Sequence, residues 1–170
     1  GPVENYYENG QLEVKSTYAD GELNGLSESY RNDGRLVERA TYADGELDGP
    51  VENYYENGQL RQQATYADGG LDGPSESYSI SGQVEVKSTY ADGELNGLWE
   101  SYSENGQLER RATYADGELN GPSETYIENG STKAIYRNGA IHGPYEEYAY
   151  GELNRAGIVI DGNFCGIMQL

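Results

Sequence analysis

Apolar and polar positions alternate along this chain in short runs, and turn signals punctuate the runs at fixed intervals. In the first stretch, Val3–Tyr7 and Gln11–Tyr18 are separated by Glu8-Asn9-Gly10 and followed by Ala19-Asp20-Gly21. Asn-Gly and Asp-Gly supply the positive φ values that tight hairpin turns require, so the two runs predict a β-hairpin. A third signal, Asn24-Gly25-Leu26, predicts a return loop to the next copy. No segment carries a helical period long enough to compete. The pattern then repeats. Gly1 recurs as Gly25, Gly49, Gly73, Gly97 and Gly121, a 24-residue interval, and again as Gly143. An interval of this size marks stacked copies of one small element, each contacting its neighbours.

Comparing the copies shows which positions are held. The first run always places Glu two residues before Tyr, and the second run ends in Tyr18, Tyr42, Tyr66, Tyr90, Tyr114 and Tyr136. The loop then holds Leu23, Leu47, Leu71, Leu95, Leu119 and Ile141, with Phe164 in the same phase. Strand side chains alternate faces, which predicts a packed face of Tyr6, Leu12 and Tyr18 beside the small Ser16. Glu13, Lys15 and Thr17 then fall on a polar face. Position fourteen varies (Val14, Glu38, Gln62, Val86, Arg110), as on a partly wet surface. The sixth repeat is two residues short between Gly130 and Tyr136, a loss that preserves strand parity where a loss of one would invert it.

Composition narrows the function. Hydrophobic residues are 35% of the chain, and 17 of them are Tyr. A thick aliphatic core is excluded; a thin sheet packed with Tyr is not, because the ring buries carbon while the hydroxyl reaches water. Net charge is −19. Nucleic acid is excluded as a partner, since phosphate contacts need clustered Lys and Arg. The charge points to a protein partner with a basic surface. There is no apolar run near the roughly 18 residues of a membrane-spanning helix. The single Cys165 rules out an internal disulfide. The chain begins without Met and in phase with the repeat, which leaves room for a leader, a cap or more repeats before Gly1. A bare edge at Val3–Tyr7 predicts end-to-end self-association.

The phrase Tyr-Ala-Asp-Gly-Glu-Leu-Asn-Gly-Pro, followed by Glu-x-Tyr and by Glu-Asn-Gly-Gln-Leu, resembles MORN repeats. It is closest to the bacterial variant of YwqK-type proteins, often labelled antitoxin components. The resemblance covers residues 1–165, with repeats starting at 1, 25, 49, 73, 97, 121 and 143. Residues 155–170 form a degenerate apolar end or cap that still holds an Asp161-Gly162 turn. The resemblance implies an all-β fold of tandem antiparallel hairpins in one elongated, twisted, single-layer sheet, a MORN-like solenoid. It implies scaffolding through partner or membrane binding, and the antitoxin label implies contact with a toxin.

The candidate interaction surface is the row Glu4/Tyr6, Glu28/Tyr30, Glu52/Tyr54, Glu76/Tyr78, Glu100/Tyr102 and Glu124/Tyr126, with Trp99 and His142 as breaks in the pattern. A ladder of carboxylates and rings would hold a basic or sugar ligand. The competing reading is structural: each Glu accepts hydrogen bonds from loop backbone or a Tyr hydroxyl, and its recurrence in every copy favours this. The Asp-Gly-Glu loops raise Ca²⁺ as a cofactor, because hard cations want several oxygens. They lack the alternating Asp spacing of known calcium loops, and Asp before Gly is ordinary turn chemistry. No cofactor or metal is therefore expected. Tyr6-Tyr7 and Tyr54-Tyr55 are similar to glucan-binding hairpins, which rely on Trp; only Trp99 is present. His142 is expected in a loop and Cys165 as a small packing residue. One His and one Cys leave no nucleophilic pair, and a repeat gives every Glu one environment, which argues against two-carboxylate catalysis. The sequence thus predicts a non-enzymatic scaffold for protein–protein interaction. An antitoxin-like partner of a basic toxin and a surface glycan-binding array are the alternatives. A local site is expected at the breaks: Trp99, His142, the apolar tail and the short sixth repeat, where Lys133 and Arg137 offset Glu124 and Glu128.

Overall fold

The computed structural model describes residues 1–160 and 162–168. Among them the chain forms sixteen antiparallel, hairpin-linked strands of one open sheet, and no helix. The chain divides into two compact units, residues 1–84 with 90–93 and residues 85–89 with 94–170. The first is built on β1 (Pro2–Tyr6), β2 (Leu12–Ala19), β3 (Glu22–Tyr30), β4 (Leu36–Ala43), β5 (Glu46–Tyr54), β6 (Leu60–Ala67) and β7 (Gly70–Tyr78). The second contains most of β8 (Val84–Ala91), then β9 (Glu94–Leu95), β10 (Gly97–Tyr102), β11 (Leu108–Ala115), β12 (Glu118–Ile127), β13 (Gly130–Arg137), β14 (Ala140–Ala149), β15 (Glu152–Ile160) and β16 (Asn163–Met168).

Two kinds of turn alternate. At the longer one, the Tyr7 N–H donates to the Gln11 carbonyl at 2.9 Å, and the Gln11 N–H donates to Asn9 Oδ1 at 3.0 Å. At the tighter one, Asp20 and Gly21 both take positive φ, 52° and 93°, the pairing that lets a two-residue turn follow strand twist. Asp tolerates this conformation because its short polar side chain bonds locally. Neighbouring repeats are laced at this end: the Gly45 N–H donates to the Leu23 carbonyl at 2.8 Å, and Gly117 does the same to Leu95 at 3.0 Å.

The third turn signal is not a loop. Gly25 lies inside β3, with φ at 112°, and Leu23 is a strand residue. Opposite Thr17 the register slips, from Ser16↔Ser27 to Tyr18↔Leu23, so β3 carries a bulge at Asn24-Gly25-Leu26. A Cβ on Gly49, the same position one repeat on, would sit 3.3 Å from Thr41 Cβ. Only glycine serves where such a φ meets such an approach.

The bulges also correct the expected packed face. The register slips between Asn5 and Tyr6, which pairs with Leu12. Tyr6 bonds Glu4, and Glu4 faces Lys15, so Tyr6 belongs to the carboxylate face. The Ser16 face carries the core instead, and the core is a row of small side chains. In the first unit Ser16 Oγ meets Ser27 Oγ at 2.7 Å, and a fully buried Ala40 stands between Ser27 and Val51. In the second, Trp99, Ala112, Ser123, Ala134, Tyr145 and Gly157 pair in succession, with Ala112 fully buried.

The sixth repeat takes up its two missing residues at the turn. Ile127 pairs with Gly130 around Glu128-Asn129, the bulge of the other long hairpins is absent, and Glu124 still faces Lys133. His142 lies within β14, not in a loop, because the strand carries through Gly143 as it does through Gly25. Cys165 is exposed, with its thiol 3.5 Å from the Asn163 carbonyl, and is no packing residue. Of the expected Asp161-Gly162 turn, Asp161 lies outside the described residues, and Gly162 takes a positive φ of 76°.

Candidate interaction surface

Each Glu of the predicted row receives the hydroxyl of the Tyr two residues on. Strand alternation places both on one face, and the ring lies along the strand so that its O–H reaches back. Tyr6 donates to Glu4 at 2.5 Å, Tyr30 to Glu28 at 2.9 Å, Tyr54 to Glu52 at 2.6 Å, and Tyr78 to Glu76. In the second unit Tyr102 donates to Glu100 at 2.7 Å, Tyr126 to Glu124 at 2.6 Å and Tyr148 to Glu146 at 3.0 Å.

The intervening strands add a second partner from across the ladder. Lys15 Nζ stands 3.3 Å from Glu4. The Arg39 guanidinium bridges two repeats, with Nε 3.0 Å from Glu28 and Nη1 3.3 Å from Glu52. Gln63 holds the equivalent place between Glu52 and Glu76 and donates to Glu76 at 2.9 Å. In the second unit Lys87 faces Glu100, Arg111 Nε lies 2.7 Å from Glu100, and Lys133 Nζ lies 3.7 Å from Glu124. The structural reading of the Glu–Tyr pair is therefore what the geometry displays. Sequence reasoning missed the cations Lys15, Arg39, Lys87 and Arg111 as partners of the row, and took Lys133 as a charge offset to Glu124, not as one of a series. Their recurrence thirteen residues before the next Glu was the available signal.

Protonation follows from these partners. The Tyr6 hydroxyl, then Lys15, holds Glu4 below the usual carboxylate range. Burial pushes Glu28 up, but the Tyr30 hydroxyl and the Arg39 guanidinium outweigh it and hold it low. Tyr102 lowers Glu100 against its burial, helped by Arg111. The tyrosines move the other way. Burial, then the carboxylate each one bonds, pushes Tyr54 and Tyr78 up to about 12.

A third row flanks the ladder on the same face: Leu26, Pro50 and Pro74 against Thr41 and Thr65 in the first unit, Leu98, Pro122 and Pro144 against Thr113, Ile135 and Ile158 in the second. Leu98 and Ile158 remain nearly half exposed. The face thus presents an apolar rail, a charged ladder and a line of tyrosines side by side. Trp99 is not part of it. It pairs with Ala112 on the opposite face, where the Arg110 guanidinium lies 5.7 Å from its ring centroid. His142, on β14, is not brought into the Glu–Tyr row as one of its pairs. Among the described residues, no group of three or more His, Cys, Asp or Glu stands close enough to hold a metal ion. Among the described residues, no helix is long and apolar enough to cross a membrane.

Three segments of the chain, residues 1–20, 47–68 and 95–116, match the family described as the MORN repeat variant. Each is one long hairpin of the fold, and each carries Glu-Asn-Gly-Gln-Leu at its turn. The intervening hairpins depart there, as in Arg31-Asn32-Asp33-Gly34-Arg35 and Ser79-Ile80-Ser81-Gly82-Gln83. No curated protein matches the chain.

Proposed function

We propose that the chain is a non-enzymatic repeat scaffold whose Glu–Tyr face docks a protein partner with a basic surface. The observation that carries this is the face itself. Its carboxylates outnumber its cations, every Glu of the row is held in one rotamer by a Tyr hydroxyl, and an apolar rail runs beside them. Pre-ordered carboxylates lose little side-chain entropy on binding, and the rail adds apolar contact, the two ingredients of an interface. Every carboxylate of the row accepts the same Tyr hydroxyl, and that shared arrangement gives none of them the distinct role that acid–base chemistry needs. MORN repeats are associated with binding, not with catalysis, in the same sense.

Capture from a lysate of the source cells with the immobilised chain, followed by carbodiimide coupling of carboxylates to partner lysines, tests the reading. Cross-links mapped by mass spectrometry should fall on glutamates of the ladder. A captured partner coupled solely through the Asp-Gly turns would sink the proposal. The antitoxin-type alternative, which the acidic charge also suits, differs in having one tight basic partner, and native mass spectra of the captured complexes distinguish it from a scaffold with several.

A further inference from the structure

In the first unit, the cross-strand position facing the Glu row holds Lys15 and Arg39, then Gln63. In the second it holds Lys87, Arg111 and Lys133, then Ala156, which pairs with Glu146. The ladder therefore lacks its cation once in each unit. A groove lies beside each of those positions, with Ala156 itself buried at the edge of its groove. The groove at Gln63 has a volume of about 310 Å³ and is lined by Pro50, Glu52, Gln63, Thr65, Pro74 and Glu76. The groove at Ala156 has a volume of about 380 Å³, with Pro144, Glu146 and Ile158 in its walls.

Resting on the scaffold reading above, we propose that these two notches receive Lys or Arg side chains of the basic partner, which supply the cations the chain omits. The chain carries its own template for the occupied state. Arg39 lies between Glu28 and Glu52 with a nitrogen on each, at 3.0 and 3.3 Å, in the register that Gln63 occupies between Glu52 and Glu76. Arg39 and Tyr54 both meet the same oxygen of Glu52, Oε2. The walls suit the rest of the side chain. Pro50, Thr65 and Pro74 offer an apolar bed for a methylene stem while the charged head reaches the carboxylates. At Ala156 the bed is Pro144 and Ile158, with one carboxylate, Glu146, oriented by the Tyr148 hydroxyl. An extended partner segment alternating basic and small residues meets these requirements, because it turns every second side chain, the basic one, toward the face.

Titration calorimetry with the peptide Ac-(Lys-Thr)4-amide in 150 mM salt tests the assignment. Gln63→Arg and Ala156→Arg each fill one notch with the chain's own cation and should each remove one of two peptide sites, halving the stoichiometry, and the double variant should weaken binding at least fivefold. Glu8→Gln changes net charge by the same amount as either single variant, at an exposed turn, and should keep the parent's stoichiometry with affinity within twofold. Equal effects of Gln63→Arg and Glu8→Gln would show a general field effect and overturn the notch, as would unchanged stoichiometry in Gln63→Arg or no binding by the parent at millimolar peptide. Circular dichroism melts confirm that the variants fold. The double variant Gln63→Arg/Ala156→Arg, used as bait in the lysate capture, separates the two proposals. A partner still captured in full overturns the notches and spares the scaffold. Peptide binding lost in the variants with no partner captured by either bait overturns the scaffold and spares the notches.

Discussion

Where a Glu–Tyr contact shifts a proton equilibrium, the shift has opposite consequences at the two ends of the pH scale. Glu4, Glu28 and Glu100 are lowered, so their contribution to stability is present above the ordinary carboxylate range and is lost as pH falls through their folded values. Tyr54 and Tyr78 are raised from 10.0 to about 12 by burial and by the carboxylates they bond. The folded state holds those protons more tightly than the unfolded chain, so the stabilisation is full below pH 10 and disappears between pH 10 and 12. Urea midpoints should therefore be level between pH 8 and 9.5 and fall steeply above 10. Absorbance at 295 nm should show part of the tyrosine titration delayed until the sheet unfolds. Uniform tyrosine ionisation near pH 10 in the folded protein would contradict the geometry. Tyr54→Phe, which removes one donor to Glu52, should cost about 1 kcal/mol at pH 7 and shrink the alkaline loss. The small-residue row makes a different demand. Ala112 is fully buried between Trp99 and Ser123, so Ala112→Leu should destabilise by about 1–3 kcal/mol in urea unfolding, through overpacking. An unchanged midpoint would mean that the row has room to spare.

At the scale of the strand, the device that sets register is the glycine inside each long strand. Gly121 has φ at 125°, and a Cβ there would lie 3.1 Å from Thr113 Cβ, which sits on the neighbouring β11. Gly121→Ala should cost about 1–2 kcal/mol from the backbone alone, and more from displacing Thr113. Gly106→Asn is the control: its turn is open around the added atoms, and Asn accepts a left-handed φ. Thermal melts should rank Gly121→Ala well below Gly106→Asn; the reverse order would show that the bulge is dispensable. The hairpins were legible because Asn-Gly and Asp-Gly announce their own φ values. The bulges were not, because Asn24-Gly25 uses the same residues as a turn and a register slip leaves no mark on side-chain parity. That is why Tyr6 and Leu12 were read onto the wrong face, and why Gly25 and His142 were read as loop. The Glu–Tyr pairing was visible in the spacing alone. Its cations recur at a fixed interval in the sequence, but it is the register, setting Lys15, Arg39 and Arg111 opposite the glutamates, that identifies them as partners and exposes the gaps at Gln63 and Ala156.

For the molecule as a whole, charge decides how far this packing can be pushed. Thirty acidic groups face eleven Lys and Arg, giving −19. Strands lie about 4.8 Å apart, so equivalent glutamates in successive repeats stand about 10 Å apart. That is about one Debye length in 0.1 M salt, against about 30 Å in 10 mM. At low salt each carboxylate therefore feels several repeats, and the repulsion is summed over many pairs. The attractions in the ladder are contacts of about 3 Å and partly shielded, as at Glu100, whose side chain is 9% exposed beside Arg111. Salt weakens the long-range repulsion more than these contacts, so the melting temperature should rise from 10 mM to 300 mM NaCl. A gain of about 1 kcal/mol corresponds to about 2–4 °C for a chain of this size. Gln63→Arg adds a cation between Glu52 and Glu76 and should raise the low-salt melting temperature more than the high-salt one. Equal melting temperatures at the two salt concentrations, or a fall with added salt, would mean that the ladder's ion pairs outweigh the net repulsion and that the acidic excess is borne at little cost.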